Sequence, residues 1–264
     1  MSELWSRLGF LAIALVVYRI GTHIPIPGIN PEQVAALFQQ SQGTILQYFN
    51  LFSGGALERM SIFALSVVPY ISSAIVMQLF SNSVPYLQEL KKDGQAGRNK
   101  ITQYTRYGTV IFALIQSSAL TVTLQTAGLI DAGSIFSAFV AVISIVTGTM
   151  FLMWLGEQIS ERGIGNGISI IIATSIITGV PRAFGQALEQ TQQGDLNYLL
   201  LIVLAVLTLL VVAFVVFVEN AQRKITVNYA QRNQVRGMIQ APSSFLPLKL
   251  NMSGVIPAIF ASTF

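Results

Sequence analysis

Between Tyr198 and Val218 the chain reads YLLLIVLAVLTLLVVAFVVFV, a run without a single charge. At about 1.5 Å of helix rise per residue, such a run reaches across the roughly 30 Å hydrocarbon core of a bilayer. It offers water no polar face, so its solvent must be lipid. The rest of the chain fits that reading: 53% of residues are hydrophobic and only 10% are charged, where soluble domains carry roughly 25% charge. Uncharged runs of helix length, separated by polar connections, predict an all-α polytopic membrane protein whose backbone polar groups are satisfied within each helix.

Six spans and the start of a seventh follow in order, at residues 4–24, 62–80, 108–126, 135–155, 168–184, 198–218 and 253–264. The first span leaves through Pro25, Pro27, Gly28 and Pro31, which cannot continue a helix. Polar loops are expected at residues 81–107 and 219–252. The glycines at 163, 165 and 167 follow no strand and precede no Lys-Ser/Thr pair, so they read as turn glycines rather than a phosphate cradle. The fifth span is expected to end near Pro181 or to continue obliquely past it.

Residues 43–80 differ from the other apolar stretches. A short aromatic-rich run from Ile45 to Phe52, ended by Ser53, Gly54 and Gly55, is too brief to cross a bilayer and suggests a half-helix at residues 43–61. The span behind it is dotted with serines and contains Pro69. Irregular backbone at membrane depth is tolerated where protein buries it or where it faces a water-filled cavity, which suggests a pathway lined by protein. Val67 and Ile71 straddle Pro69 four residues apart, on one helical face, where a kink could turn them toward a central axis. Branched apolar residues recur at Ile168, Ile170, Ile171 and Ile172, and around Pro257 at Ile256 and Ile259. A ring of such side chains can close a pore by dewetting without offering a binding site.

Charge sets the expected orientation. Of the 15 Lys and Arg residues, all but Arg19, Arg59 and Arg182 fall at one set of alternate loops, which the positive-inside rule assigns to the cytosol together with the N-terminus. Catalysis finds little support. His23 is the single histidine and there is no cysteine, so neither a zinc site nor a Ser-His arrangement is expected. No enzyme activity, cofactor or metal is predicted. An ion-coupled transporter carries ionisable residues inside its spans, and the interiors of spans two to six show none. The alternative reading is a small-solute transporter with a midplane site between interrupted helices, which requires a polar cluster at the centre.

The segments IPIPGI, FSGGALERMSIFAL, PYISSAIVMQL, QYTRYG, TGTMFLMWLGEQISERGIGNGISIII and LPLKLNMSGVIPAIFAS closely resemble the SecY family, central subunits of the bacterial protein-conducting channel. The resemblance covers almost the whole chain. It implies a channel of two inverted five-helix halves, here spans one to six and the start of span seven, in the bacterial inner membrane. By motif, Val67, Ile71, Ile172, Ile259 and Thr263 would form the pore ring, with valine at 67 where the family usually has isoleucine. Ile45, Leu46, Tyr48, Phe49, Phe52, Ser53, Gly54 and Gly55 would belong to the plug. Spans two and three would make one side of a lateral gate, with Gln78 and Gln116 as its polar contacts, and Arg223, Lys224, Arg232 and Arg236 would meet SecA or the ribosome. SecE and SecG would be the companion subunits. The implied activity is passage of unfolded secretory polypeptides and lateral release of hydrophobic segments into lipid.

Overall fold

The computed structural model describes residues 2–29, 34, 50, 53–129, 135–192, 197–227 and 244–249. The chain divides into two compact units, residues 1–184 and 185–264. The described residues form seven helices and one hairpin: α1 (Ser2–Gly21), α2 (Val68–Ser83), α3 (Pro85–Lys92), α4 (Gly94–Thr126), α5 (Ile135–Arg162), α6 (Gly167–Gln192), α7 (Tyr198–Asn220), β1 (Gln222–Val227) and β2 (Ser244–Lys249). Five of the helices, α1 and α4 to α7, are long and apolar enough to cross a membrane.

In the first unit, α1 carries Glu3 in its first turn and Arg19 in its last, each opposite in sign to the adjacent helix terminus. The chain then turns back and forms a small antiparallel bridge, Pro25 with Ser61. The Ile26 amide donates to the Met60 carbonyl at 2.9 Å and the Ile62 amide to the Ile24 carbonyl at 3.0 Å. The proline-rich exit is thereby tied to the stretch before α2.

That stretch is where expectation and structure part most clearly. A helix was expected from residue 62, kinked at Pro69. Residues 53–67 instead form consecutive turns, and α2 begins at Val68 with Pro69 in its first helical turn. Proline is suited to that position because its missing N–H would be unsatisfied there in any case and its fixed φ already matches a helix. It therefore starts the helix rather than bending it. At 16 residues, α2 is about 24 Å long. The turns before it are buried in protein through Ala56, Leu57, Met60, Phe63, Ala64 and Val67, as non-helical backbone inside a membrane requires.

The polar segment 81–107 is likewise more ordered than a loop. It holds α3 and the first polar turns of α4, a 33-residue helix. The break between them is at Gly94, φ +68, and the Leu90 carbonyl fills the space where a Cβ on Gly97 would stand. Further along, α2 and α4 run antiparallel and close together. Ser73 Oγ donates to the Thr105 carbonyl at 2.7 Å and fills the space beside Gly108. Thr105, Thr109, Ala113, Ser117 and Thr121 form the buried stripe of α4, small and hydroxylated residues that let helix backbones approach. Arg106 of α4 grips Glu157 of α5 through two parallel hydrogen bonds of 2.9 Å.

The turn from α5 to α6 uses its glycines as expected. Gly165 has φ +72, and the Gly156 carbonyl occupies the place of a Cβ on Gly167. Asn166 Oδ1 accepts from the amides of Ile168 and Ser169, at 3.1 and 3.3 Å, and starts α6. The Gly167 amide donates to Ser160 Oγ at 2.8 Å. Beyond the turn, α6 continues through Pro181 to Gln192.

In the second unit, Asn197 caps α7 by accepting from the Leu199 amide, and no residue of that helix is buried. The segment 219–252 was expected to be loop, but its two ends pair. The antiparallel register runs from Gln222 opposite Lys249 to Val227 opposite Ser244. QRKITV and SFLPLK both place branched or aromatic residues at strand positions.

A candidate pore-lining collar

The collar residues are positioned by two features, the proline-started helix α2 and the asparagine-capped helix α6. Val67 is the residue just before α2, with φ −96 and ψ 8, and the Ile71 amide donates to its carbonyl at 3.1 Å. The pair therefore keeps the one-turn spacing expected of it, without a kink. Val67 is buried; Ile71 and Ile172 are half-buried. All three belong to one apolar cluster, whose buried members include Ala56, Phe63, Leu155 and Ile171 and whose half-buried rim includes Ile168 and Ile170. Branched side chains at such a place can exclude water and ions but cannot coordinate a solute.

Three of the five expected ring residues are thus brought together, while Ile259 and Thr263 lie outside the described residues. Of the expected plug, Ser53, Gly54 and Gly55 are described, and Ile45, Leu46, Tyr48, Phe49 and Phe52 lie outside. Ser53 Oγ accepts from the Leu57 amide at 3.1 Å. Gly54 and Gly55 have φ +66 and +80, a conformation that side chains with a Cβ seldom adopt.

The two glutamines expected as polar contacts of a gate lie far apart. Ser73 is level with Thr105 and Gly108, and from that level Gln78 and Gln116 lie in opposite directions along the antiparallel pair α2 and α4. The helix rise separates them by about 20 Å. Gln78 is exposed, Gln116 is half-buried, and neither amide has a hydrogen-bond partner among the described residues. Arg223 and Lys224 are exposed on β1, facing Leu248 and Pro247 across the hairpin. Arg232 and Arg236 lie outside the described residues.

His23 has a local structural role. Its Nδ1 lies 2.9 Å from the Arg19 carbonyl and its Nε2 lies 2.9 Å from Arg59 Nη1. The ring joins the end of α1 to the stretch before α2. Among the described residues no group of His, Cys, Asp and Glu side chains forms a metal-binding cluster.

Sequence reasoning missed the aromatic column beside the collar. Tyr18 stacks on Phe63 with ring centroids 6.1 Å apart, Phe63 on Phe151 at 5.9 Å, and Phe151 leans on Trp154 at 5.7 Å. A tyrosine within the apolar first span, whose hydroxyl needs a partner when buried, was the one signal available.

The SecY family profile matches residues 61–264. The SecY translocase subunit of Pseudomonas aeruginosa is 57% identical over 263 residues, covering 100% of this chain and 60% of that protein. Among solved structures, a SecY channel studied for the plug domain that stabilises its closed state and maintains a membrane seal superposes with TM-score 0.68 at 21% identity, covering 98% of this chain and 56% of that one. Sec61 in a canine ribosome-channel complex gives TM-score 0.65 at 21% identity, with 98% and 56% coverage. The chain thus spans about 60% of the length of the curated relative it matches. With a family profile over most of its length, a relative more than half identical end to end and a matching channel fold, the chain belongs to the SecY family.

Proposed function

We propose that this chain forms part of the wall of a protein-conducting channel in the bacterial inner membrane, with its N-terminus in the cytosol. An unfolded secretory polypeptide enters from the cytosol, displaces a plug built from residues 45–55, and passes a collar of Val67, Ile71 and Ile172, completed by Ile259 and Thr263. Hydrophobic segments leave sideways into lipid past α2 and α4. SecE and SecG are the companion subunits, and Arg223, Lys224, Arg232 and Arg236 receive SecA or the ribosome.

The observation that carries this reading is the convergence of Val67, Ile71 and Ile172, from separate parts of the chain, on one apolar cluster that includes residues of the irregular stretch 53–67. Such a collar deforms around a moving chain and reseals behind it, since dispersion is non-directional and apolar side chains form no specific bond to what passes. The solute-transporter alternative, which requires a polar cluster at the centre, has no comparable support among the described residues. Photo-crosslinking in the full-length channel tests the proposal. A probe at Val67, Ile71 or Ile172 should capture a stalled secretory chain, whereas one at Leu207 of α7 should label lipid. Capture confined to Leu207 would overturn the reading.

A further inference from the structure

We infer that Tyr18 is a positioning residue that clasps the irregular stretch 53–63 against α1 and α6 and so sets how readily that stretch leaves its seat. The inference rests on the channel reading above. The Tyr18 side chain is fully buried, at 0% exposure, and meets the stretch at both ends. Its hydroxyl lies 3.4 Å from the Ser53 carbonyl oxygen and 2.6 Å from Ser175 Oγ of α6. Its ring stacks on Phe63 with planes 1° from parallel. Between these points, Gly54 is close to the same patch of α6: a Cβ there would stand 3.2 Å from both Ser175 Cα and Thr178 Oγ1.

The hydroxyls allow two proton arrangements. Ser175 Oγ is 2.8 Å from the Ile171 carbonyl. In the first, Ser175 donates to Ile171 and Tyr18 donates to Ser175, which ties α1 to α6. In the second, Ser175 donates to Tyr18 and Tyr18 donates to the Ser53 carbonyl, which ties the stretch to both helices. A hydroxyl donates once and accepts through two lone pairs, so rotation of two O–H bonds interconverts them. In either arrangement Ser175 holds the phenol oxygen within reach of Ser53.

The stretch depends on such neighbours. Besides Gly54 and Gly55, Met60 and Ser66 have positive φ, +44 and +50, a region that residues with a Cβ seldom occupy unless their surroundings impose it. Ser66 Oγ is buried with no hydrogen-bond partner among the described residues, an uncompensated desolvation cost of the seated conformation. Loosening the clasp therefore favours departure of the stretch.

The test is single-channel recording of the full-length protein, assembled with its channel subunits in a planar bilayer. Tyr18→Phe keeps the ring stack and removes only the hydroxyl; Ser175→Ala removes its partner. Each should raise the open probability about three- to tenfold, the range expected for one lost hydrogen bond. The double variant should show no more than either single change, because both act on one contact. Val67→Gly, which thins the collar itself, serves as the positive control for leak. If that control leaks while Tyr18→Phe and Ser175→Ala leave the open probability unchanged or lowered, the clasp is wrong and the channel reading stands. Additive effects of the two changes would overturn the shared contact. If Val67→Gly also fails to leak, the channel reading falls and the clasp falls with it.

Discussion

The stretch 53–67 and helix α7 make opposite uses of the same apolar alphabet. The helix is regular over its whole length and uncharged from Tyr198 to Val218, yet none of its residues is buried. The stretch is irregular, broken by glycines and serines, and contributes Ala56, Leu57, Met60, Phe63, Ala64 and Val67 to the core. In a membrane, hydropathy says which solvent a segment tolerates, not whether it packs. Packing follows small residues, hydroxyls and backbone turns, because these let one backbone approach another while keeping polar groups satisfied.

Substitutions can break that contrast. The largest difference is expected between Phe63→Ala and Phe214→Ala. Phe63 is 2% exposed and lies between two stacked rings, so its loss should destabilise by about 3–5 kcal/mol. Phe214 is 67% exposed, and its loss should stay within about 0.5 kcal/mol. Thermal unfolding in detergent would measure both, and equal shifts in Tm would erase the distinction. A smaller effect is expected for Gly148→Leu, because a Cβ at Gly148 would collide with the Ile62 carbonyl of the irregular stretch. Overpacking of this kind costs about 1–3 kcal/mol and should also expose the stretch to protease. A smaller loss again is expected for Glu157→Gln, which weakens the paired hydrogen bonds to Arg106. With Arg106 44% and Glu157 19% exposed, solvent screens the pair and the loss should be near 1 kcal/mol. The wild-type stability should fall toward the variant's as salt rises; a difference independent of salt would argue against an electrostatic origin.

Particular residues show how far the sequence could be read. The run from Tyr198 to Val218 announces α7, with ends within two residues of those observed, because an uncharged segment of membrane length has one stable backbone solution. The glycines at 163, 165 and 167 announce a tight connection because positive φ and close backbone approach both exclude a Cβ. Pro69 was read correctly as an irregularity and wrongly as a kink: the same ring that bends a helix interior also suits a first turn, and only the preceding turns decide between them. The segment 81–107 was read as loop because it is polar, but its residues form helix readily once α4 extends beyond its apolar part. The joining of Val67, Ile71 and Ile172 was expected from a family resemblance, not from spacing. Apolar side chains at helical intervals occur in any span.

What the amino-acid order settled unaided is the inventory: which segments need lipid, where glycine and proline interrupt them, and which connections carry positive charge. These are local quantities, fixed by transfer free energy and backbone sterics, and they survive in any arrangement of the helices. The fold alone decided that Tyr18 would sit between Ser53, Phe63 and Ser175, that Gln78 and Gln116 would stay apart, and that Arg106 would find Glu157. Those outcomes depend on contacts between residues far apart in sequence. Because lipid is as apolar as the spans themselves, hydrophobicity cannot choose such contacts; shape and a few hydrogen bonds do.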